Sequence, residues 1–254
     1  MKVFDAHLHI IDDKFPLQEN NGFIPENFNI DSYKKALDSF ELESVGGAIV
    51  SGSFQGYDQS YLISALSCLN SHGYIGVTQL PITTTDSEIK LLHEKGVRAI
   101  RFNVFRGGSE DIIHLFTLAK RVYNLCGWST ELYIDVSKIT PPQEDIILSL
   151  PRVSIDHLGM SSKGNDTLLR LVRNGVKVKS TGFGRINFEP LNIMKEIHSI
   201  SKDALLFGTD LPSTRAKRPF SSEDIKFIVN NFQKEDFERI LYKNSKDWYI
   251  NYFS

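Results

Sequence analysis

Asp5, His7 and His9 occupy alternate positions in the segment Val3-Phe4-Asp5-Ala6-His7-Leu8-His9. Alternate side chains of an extended strand share a face, so a carboxylate and two imidazoles would point the same way. His7 and His9 would stand one pleat apart, near enough for both rings to reach one ion through bonds of about 2.0–2.1 Å. A pair of surface histidines on an edge strand is the plainer reading of the tripeptide. Two further polar strand ends weigh against it: Ile155-Asp156-His157-Leu158-Gly159 and Phe207-Gly208-Thr209-Asp210-Leu211-Pro212. With a divalent ion such as zinc, His7, His9 and Asp210 would be ligands and a bound water the nucleophile. Without one, Asp210 would act as general base on a free water while His7, His9 and His157 polarise a carbonyl.

Cations cluster in the same parts of the chain. Between Val97 and Val104, alternation turns Ile100 and Phe102 outward and Arg101 and Asn103 inward. A buried guanidinium demands an anion, so Asp5, Asp135 or a substrate must face Arg101. Arg106 precedes Gly107-Gly108, Arg185 follows Gly182-Phe183-Gly184, and Arg215 and Arg218 follow Asp210. Each alone would be an ordinary solvated charge. Together with Lys179 they describe a mouth for a carboxylated ligand, because arginine grips carboxylates in a planar two-bond fork. Over 131–137 the same alternation turns Tyr133, Asp135 and Ser137 to the cavity, where Tyr133 would donate to a substrate oxygen or fill the core. His72, His93, His114 and His198 fall on helical stretches or their ends and receive no role.

Eight segments have strand character: 2–9, 46–51, 74–80, 97–104, 131–137, 153–158, 176–182 and 204–209. Between them run helical stripes such as Ile30, Tyr33, Leu37, Phe40 and Ile112, Phe116, Ala119, Tyr123, with Asp86, Ser109 and Asn165 as caps. Eight strand–helix units in 254 residues predict an α/β fold, a single-domain (β/α)8 TIM barrel over residues 1–254. A doubly wound sheet would need a glycine-rich turn after its first strand, and no glycine precedes Gly22. In a barrel the C-terminal strand ends converge, which would gather His7, His9, His157 and Asp210.

The formal net charge of −2 offers no general electrostatic grip on nucleic acid. Cys68 and Cys126 build neither a disulfide framework nor a cysteine-rich zinc site. No run approaches a membrane span, and Asp5 stands where a signal peptide would be apolar. A cytoplasmic protein with no nucleic-acid or membrane partner is expected, and a homo-oligomer is allowed.

The motifs Asp5-Ala6-His7-Leu8-His9, Asp156-His157-Leu158-Gly159 and Gly208-Thr209-Asp210-Leu211-Pro212 resemble the amidohydrolase superfamily in order and strand position. The resemblance spans nearly the whole chain, through Ile240-Leu241-Tyr242-Lys243-Asn244. Within it, Arg101-Phe102-Asn103-Val104-Phe105-Arg106, Leu132-Tyr133-Ile134-Asp135 and Ile155 to Gly159 are most similar to the 2-pyrone-4,6-dicarboxylate lactonases. That resemblance implies opening of a carboxylated lactone: Arg101, Arg106 and Arg185 on substrate carboxylates, Tyr133 assisting, Asp210 activating water, and no required metal. The Lys or Glu that many superfamily members carry on the fourth strand is replaced by Asn103, and the fifth strand lacks their His, so a two-metal centre is not expected. The rival readings are a metal-dependent decarboxylase on the same scaffold, a TatD-type nuclease, whose fourth-strand Glu is missing, and a non-catalytic carboxylate-binding module.

Overall fold

Eight short segments each form one strand: β1 (Lys2–Leu8), β2 (Glu43–Val50), β3 (Tyr74–Thr78), β4 (Val97–Phe102), β5 (Ser129–Leu132), β6 (Val153–Ile155), β7 (Lys177–Ser180) and β8 (Leu205–Phe207). The computed structural model describes residues 1–69 and 73–253, so His72 lies outside the described residues. Each strand pairs in parallel with the next, in the order β1 to β8. Parallel neighbours need a crossover, and seven helices supply it: α1 (Ile30–Ser39), α2 (Ser60–Leu69), α3 (Asp86–Glu94), α4 (Leu115–Cys126), α5 (Pro141–Ser149), α6 (Asn165–Arg173) and α7 (Leu191–Ile200), with α8 (Ser222–Asn231) following β8. The result is the expected single-domain (β/α)8 barrel. Residues such as Ile100, Phe102, Ile155 and Val178 are wholly buried between sheet and helices. After α9 (Lys234–Glu238) and a π-helical turn, α10 (Asn244–Tyr249) covers the N-terminal strand ends, where Tyr249 stacks on Phe4 of β1. No helix among the described residues is long and apolar enough to cross a membrane.

The barrel closes between β8 and β1 through bonds just past the strand ends. Asp210 N donates to His7 O at 2.7 Å and His9 N to Leu211 O at 2.9 Å. The Asp5 carboxylate seals the seam below them, accepting from Thr209 N (2.8 Å), Thr209 Oγ1 (2.6 Å) and the Tyr33 hydroxyl (3.1 Å). So the bonds that complete the cylinder also set Asp210 beside both histidines. The approach is close enough to require a glycine at position 208, where a Cβ would stand 2.6 Å from His7 N.

Local expectations fail where polar side chains redirect the backbone. β5 ends at Leu132, because the Asp135 carboxylate accepts from Ser137 N (3.0 Å) and Oγ (2.7 Å) and winds Val136–Lys138 into a short 3₁₀ turn. Asp135 is thus half-buried and lines only the outer mouth beside Arg106, Arg185 and Arg215, while Ser137 is exposed and faces no cavity among the described residues. Thr85, not Asp86, caps α3, in a capping box with Glu88. Ser109 Oγ instead accepts from Asn103 N at 2.7 Å, and α6 begins at Asn165 itself. The inward stripe of α4 is Leu115, Leu118, Ala119 and Val122, because the preceding 3₁₀ turn shifts its phase and leaves Phe116 exposed.

Candidate active site

The C-terminal strand ends carry the ionisable residues. His7 and His9 lie at the end of β1, Asp156 and His157 at β6, and Asp210 after β8, all buried. The His7 ring stands 5.1 Å from that of His9 and 4.8 Å from that of His157, centroid to centroid. Asp210 Oδ1 is 3.8 Å from His7 Nε2 and 3.8 Å from His9 Nε2. Residues separated by some 200 positions therefore meet, as the strand-end reading expects. His157 (φ +51°) and Asp210 (φ +62°) both hold left-handed backbone, which costs about 1–3 kcal/mol at a non-glycine residue and gathers at working sites. Gly182 lets its loop reach His157, since a Cβ there would lie 2.5 Å from Nδ1.

A narrow pocket opens above this floor, walled by His9, Arg101, Asn103, Arg106, Tyr133, His157, Arg185 and Arg215. His7 and Asp210 lie one layer beneath it. Arg101 does find an internal anion, but neither Asp5 nor Asp135: its Nε and Nη2 donate to Asp156 Oδ2 at 3.2 and 2.8 Å. Asp5 is engaged at the seam and Asp135 at its turn. Arg185 forks onto Asp210, Nε to Oδ2 at 2.6 Å and Nη2 to Oδ1 at 3.0 Å. Asn103 shapes the Arg106 loop, its Oδ1 accepting from Arg106 N at 3.1 Å and its carbonyl from Gly107 N at 2.8 Å. Tyr133 stacks on Phe105 and lies under Arg101, 5.1 Å from ring centroid to guanidinium carbon.

Two of the expected mouth cations sit elsewhere. Lys179 is sealed inside the barrel, 2.5 Å from Glu131 Oε2 and 3.7 Å from Asp156 Oδ1. Arg218 is exposed and paired with Asp224. Glu131, Asp156 as a counter-ion, and Asn20, which holds Arg215, are the residues that sequence reasoning missed. Glu131 shares the parity of Tyr133, a signal that was available once β5 is started at Ser129.

Burial pushes the His9 pKa down to about 3, with Arg101 adding to it, and holds His7 and His157 well below the usual range. Burial also raises Asp210, against the pull of Arg185. Burial would raise Asp156 too, but His7, Arg101 and Lys179 outweigh it and hold this carboxyl well below the usual range. The imidazoles are therefore neutral near pH 7. An unfolded histidine takes up its proton below about pH 6.5, whereas folded His9 does so only near 3. Its contribution to stability is present above pH 6.5 and lost as the pH falls through that window. His9→Gln should flatten the acid slope: urea midpoints at pH 7 and at pH 4.5 should differ less in the variant than in the wild type. Parallel declines would show that His9 is not held neutral.

The tightest group able to hold a cation is His7, His157 and Asp210, with ligand atoms within 4.8 Å of one another, so His157 takes the place expected for His9. The nitrogens suit a divalent ion. His9 Nδ1 lies 2.7 Å from Val50 O and His157 Nδ1 lies 3.4 Å from Thr181 O, the backbone contacts that orient an imidazole ligand. Both Asp210 oxygens carry the Arg185 guanidinium, which a cation on Asp210 would have to displace or share. Ligands of a tetrahedral ion would also lie only about 3.3–3.6 Å apart. His7 Nε2 and Asp210 Oδ1, 3.8 Å apart, would have to draw closer to share one ion.

A parallel eight-stranded barrel with its titratable residues at the C-terminal strand ends, over a pocket, is the architecture of a barrel enzyme. The amidohydrolase family model matches residues 4–249. The chain belongs to the amidohydrolase family and is a hydrolase. It is similar to a 2-pyrone-4,6-dicarboxylate hydrolase of Comamonas testosteroni, 26% identical over 247 residues, covering 84% of this chain and 77% of that protein. A structure from Acinetobacter baumannii named for 2-pyrone-4,6-dicarboxylic acid hydrolase, with citric acid bound, matches at TM-score 0.81 and 22% identity, covering 98% of this chain and 99% of the other. One from Pseudomonas putida with the same enzyme name matches at 0.80 and 21%, covering 97% of each chain. The two structures share the fold.

Proposed function

We propose that residues 1–254 act as one amidohydrolase domain that opens a small dicarboxylated lactone with water, in the cytoplasm and without a resident metal. The observation that carries this reading is the charge balance of the pocket. Arg101 and Arg185 are matched by Asp156 and Asp210. Arg106 and Arg215 face the same pocket with no carboxylate partner among the described residues: Arg106 lies over Phe105, and Arg215 bonds only to Asn20 and lies over Phe23. Two unmatched guanidiniums in a confined volume favour a dianion of small size. The relatives named for 2-pyrone-4,6-dicarboxylate act on a substrate of that class.

The tautomers assign the roles. Because the neutral His9 donates through Nδ1 to Val50 O, its Nε2 accepts. Water placed between Asp210, His7 and His9 is oriented by acceptors, and Asp210 takes its proton as the oxygen adds to the lactone carbonyl. The carbonyl oxygen is met by donors: the Tyr133 hydroxyl, buried with no well-formed hydrogen bond among the described residues, and Arg185. Arg185 covers Asp210 until a substrate carboxylate draws the guanidinium into the pocket. The ring C–O bond then breaks, and the proton held by Asp210 passes to the departing oxygen.

Loss of the pyrone absorbance on adding 2-pyrone-4,6-dicarboxylate tests this reading. Turnover should survive exhaustive chelation, and Arg106→Met should raise KM about tenfold or more, with kcat changed far less. Activity restored only by zinc or manganese would favour the metal-dependent route. Tight binding with no product would favour a carboxylate-binding module.

A further inference from the structure

The β1–α1 connection is not a plain loop. Ile11 and Phe28 pair across its base (Ile11 N to Phe28 O 2.8 Å, Phe28 N to Ile11 O 2.7 Å), and Asn20 and Phe23 pair near its tip (3.0 and 3.3 Å). Asn21 (φ +54°) and Gly22 (φ +72°) are both left-handed, the two-residue hairpin turn for which Asn-Gly is preferred. Gln18 N anchors the near limb to Phe54 O at 2.7 Å.

This hairpin reaches both unmatched arginines. Asn20 Oδ1 accepts from Arg215 Nη1 at 2.9 Å, the Asn20 carbonyl accepts from Nη2, and the Phe23 ring lies 4.3 Å from the same guanidinium. Asn20 Nδ2 also donates to the Arg106 carbonyl at 3.4 Å. Arg215 stands on a loop with left-handed backbone at 213 and 215, so no helix or strand fixes its direction. Asp would make as good a turn residue as Asn and bond the guanidinium better, but it would cancel the charge. A neutral amide oxygen aims the cation and leaves its charge for the pocket.

We propose that Asn20 is a positioning residue for substrate specificity: through the hairpin it presents Arg215 to the second carboxylate of the substrate. This rests on the dianion reading of the pocket. Calorimetry with two unreactive probes, benzene-1,3-dicarboxylate and benzoate, tests it without relying on turnover. Wild type should bind the dicarboxylate about tenfold or more tighter than benzoate, Asn20→Asp should erase most of that preference with benzoate little changed, and Asn20→Ser, which keeps an acceptor, should retain it. On the lactone, Asn20→Asp should raise KM with kcat nearly unchanged. A full preference surviving in Asn20→Asp overturns the role of Asn20 while upholding the dianion reading. Equal weakening of both probes marks a collapsed hairpin and also overturns it. A wild type with no preference removes the dianion reading, and the role of Asn20 falls with it.

Discussion

Asp210→Asn should lower kcat by about 10²–10⁴-fold, the usual contribution of a positioned general base, while the barrel stays folded. The amide keeps the shape of the carboxylate and can still accept from one arm of Arg185, but it cannot take a proton from water. KM should stay level or fall, because the Arg185 guanidinium, which now forks onto both Asp210 oxygens, is freed toward the substrate. That split separates a base from a residue that only binds. Part of the ion pair is lost as well, so the melting temperature should drop by a few degrees, and stability must be measured beside rate. Steady-state kinetics on the purified pair decide the matter. A variant with kcat within a few-fold of wild type would remove Asp210 from the chemistry.

The legible part of the site is the part written in strand periodicity and strand ends. His7 and His9 share a face at spacing two, and Asp210 is brought to them because a barrel must join its eighth strand to its first. The partner of Arg101 was not legible. It depends on which inward side chains of β4 and β6 share a layer across the barrel, a matter of tilt and stagger that spacing along one strand does not report. Asp156 precedes His157 in a motif already singled out, yet it serves as the floor's central counter-ion, 3.5 Å from His7 Nδ1. Its charge and its place on the seventh strand point Lys179 toward the mouth. Two residues of pleat along a strand decide between rim and interior, and Lys179 falls inside. The hairpin tip at Asn21-Gly22 carried a clear local signal, but its contact with Arg215 joins residues nearly two hundred positions apart.

Lys179→Met should be the most damaging single change outside the pocket wall, costing about 3–5 kcal/mol because it leaves the buried Glu131 without its cation. Glu131, Lys179, Asp156 and the Tyr249 hydroxyl are all buried and linked: Tyr249 donates to Glu131 Oε1, Lys179 pairs with Oε2 at 2.5 Å, and its Nζ lies 3.7 Å from Asp156 Oδ1. Lys179 therefore bridges two carboxylates, Glu131, which is tied to α10, and Asp156, which also bears Arg101 and His7. Burial raises the Glu131 pKa even with Lys179 present, so without it Glu131 binds a proton in the fold more readily than in the unfolded chain. A raised carboxylate favours the folded state at low pH and loses that contribution as the pH rises, so the gap between wild type and variant should widen from about pH 5 to pH 8. Lys179→Met with Glu131→Leu should recover much of the loss, since an apolar pair of similar volume removes the orphaned charge. Urea titrations of the two variants across that range provide the measurement. Equal stability of single variant and wild type at pH 8 would overturn the role of Lys179 as the counter-charge of the barrel interior. Because Asp156 fixes both Arg101 and His7, the single variant should also lose turnover, and the double variant should regain stability without regaining full activity.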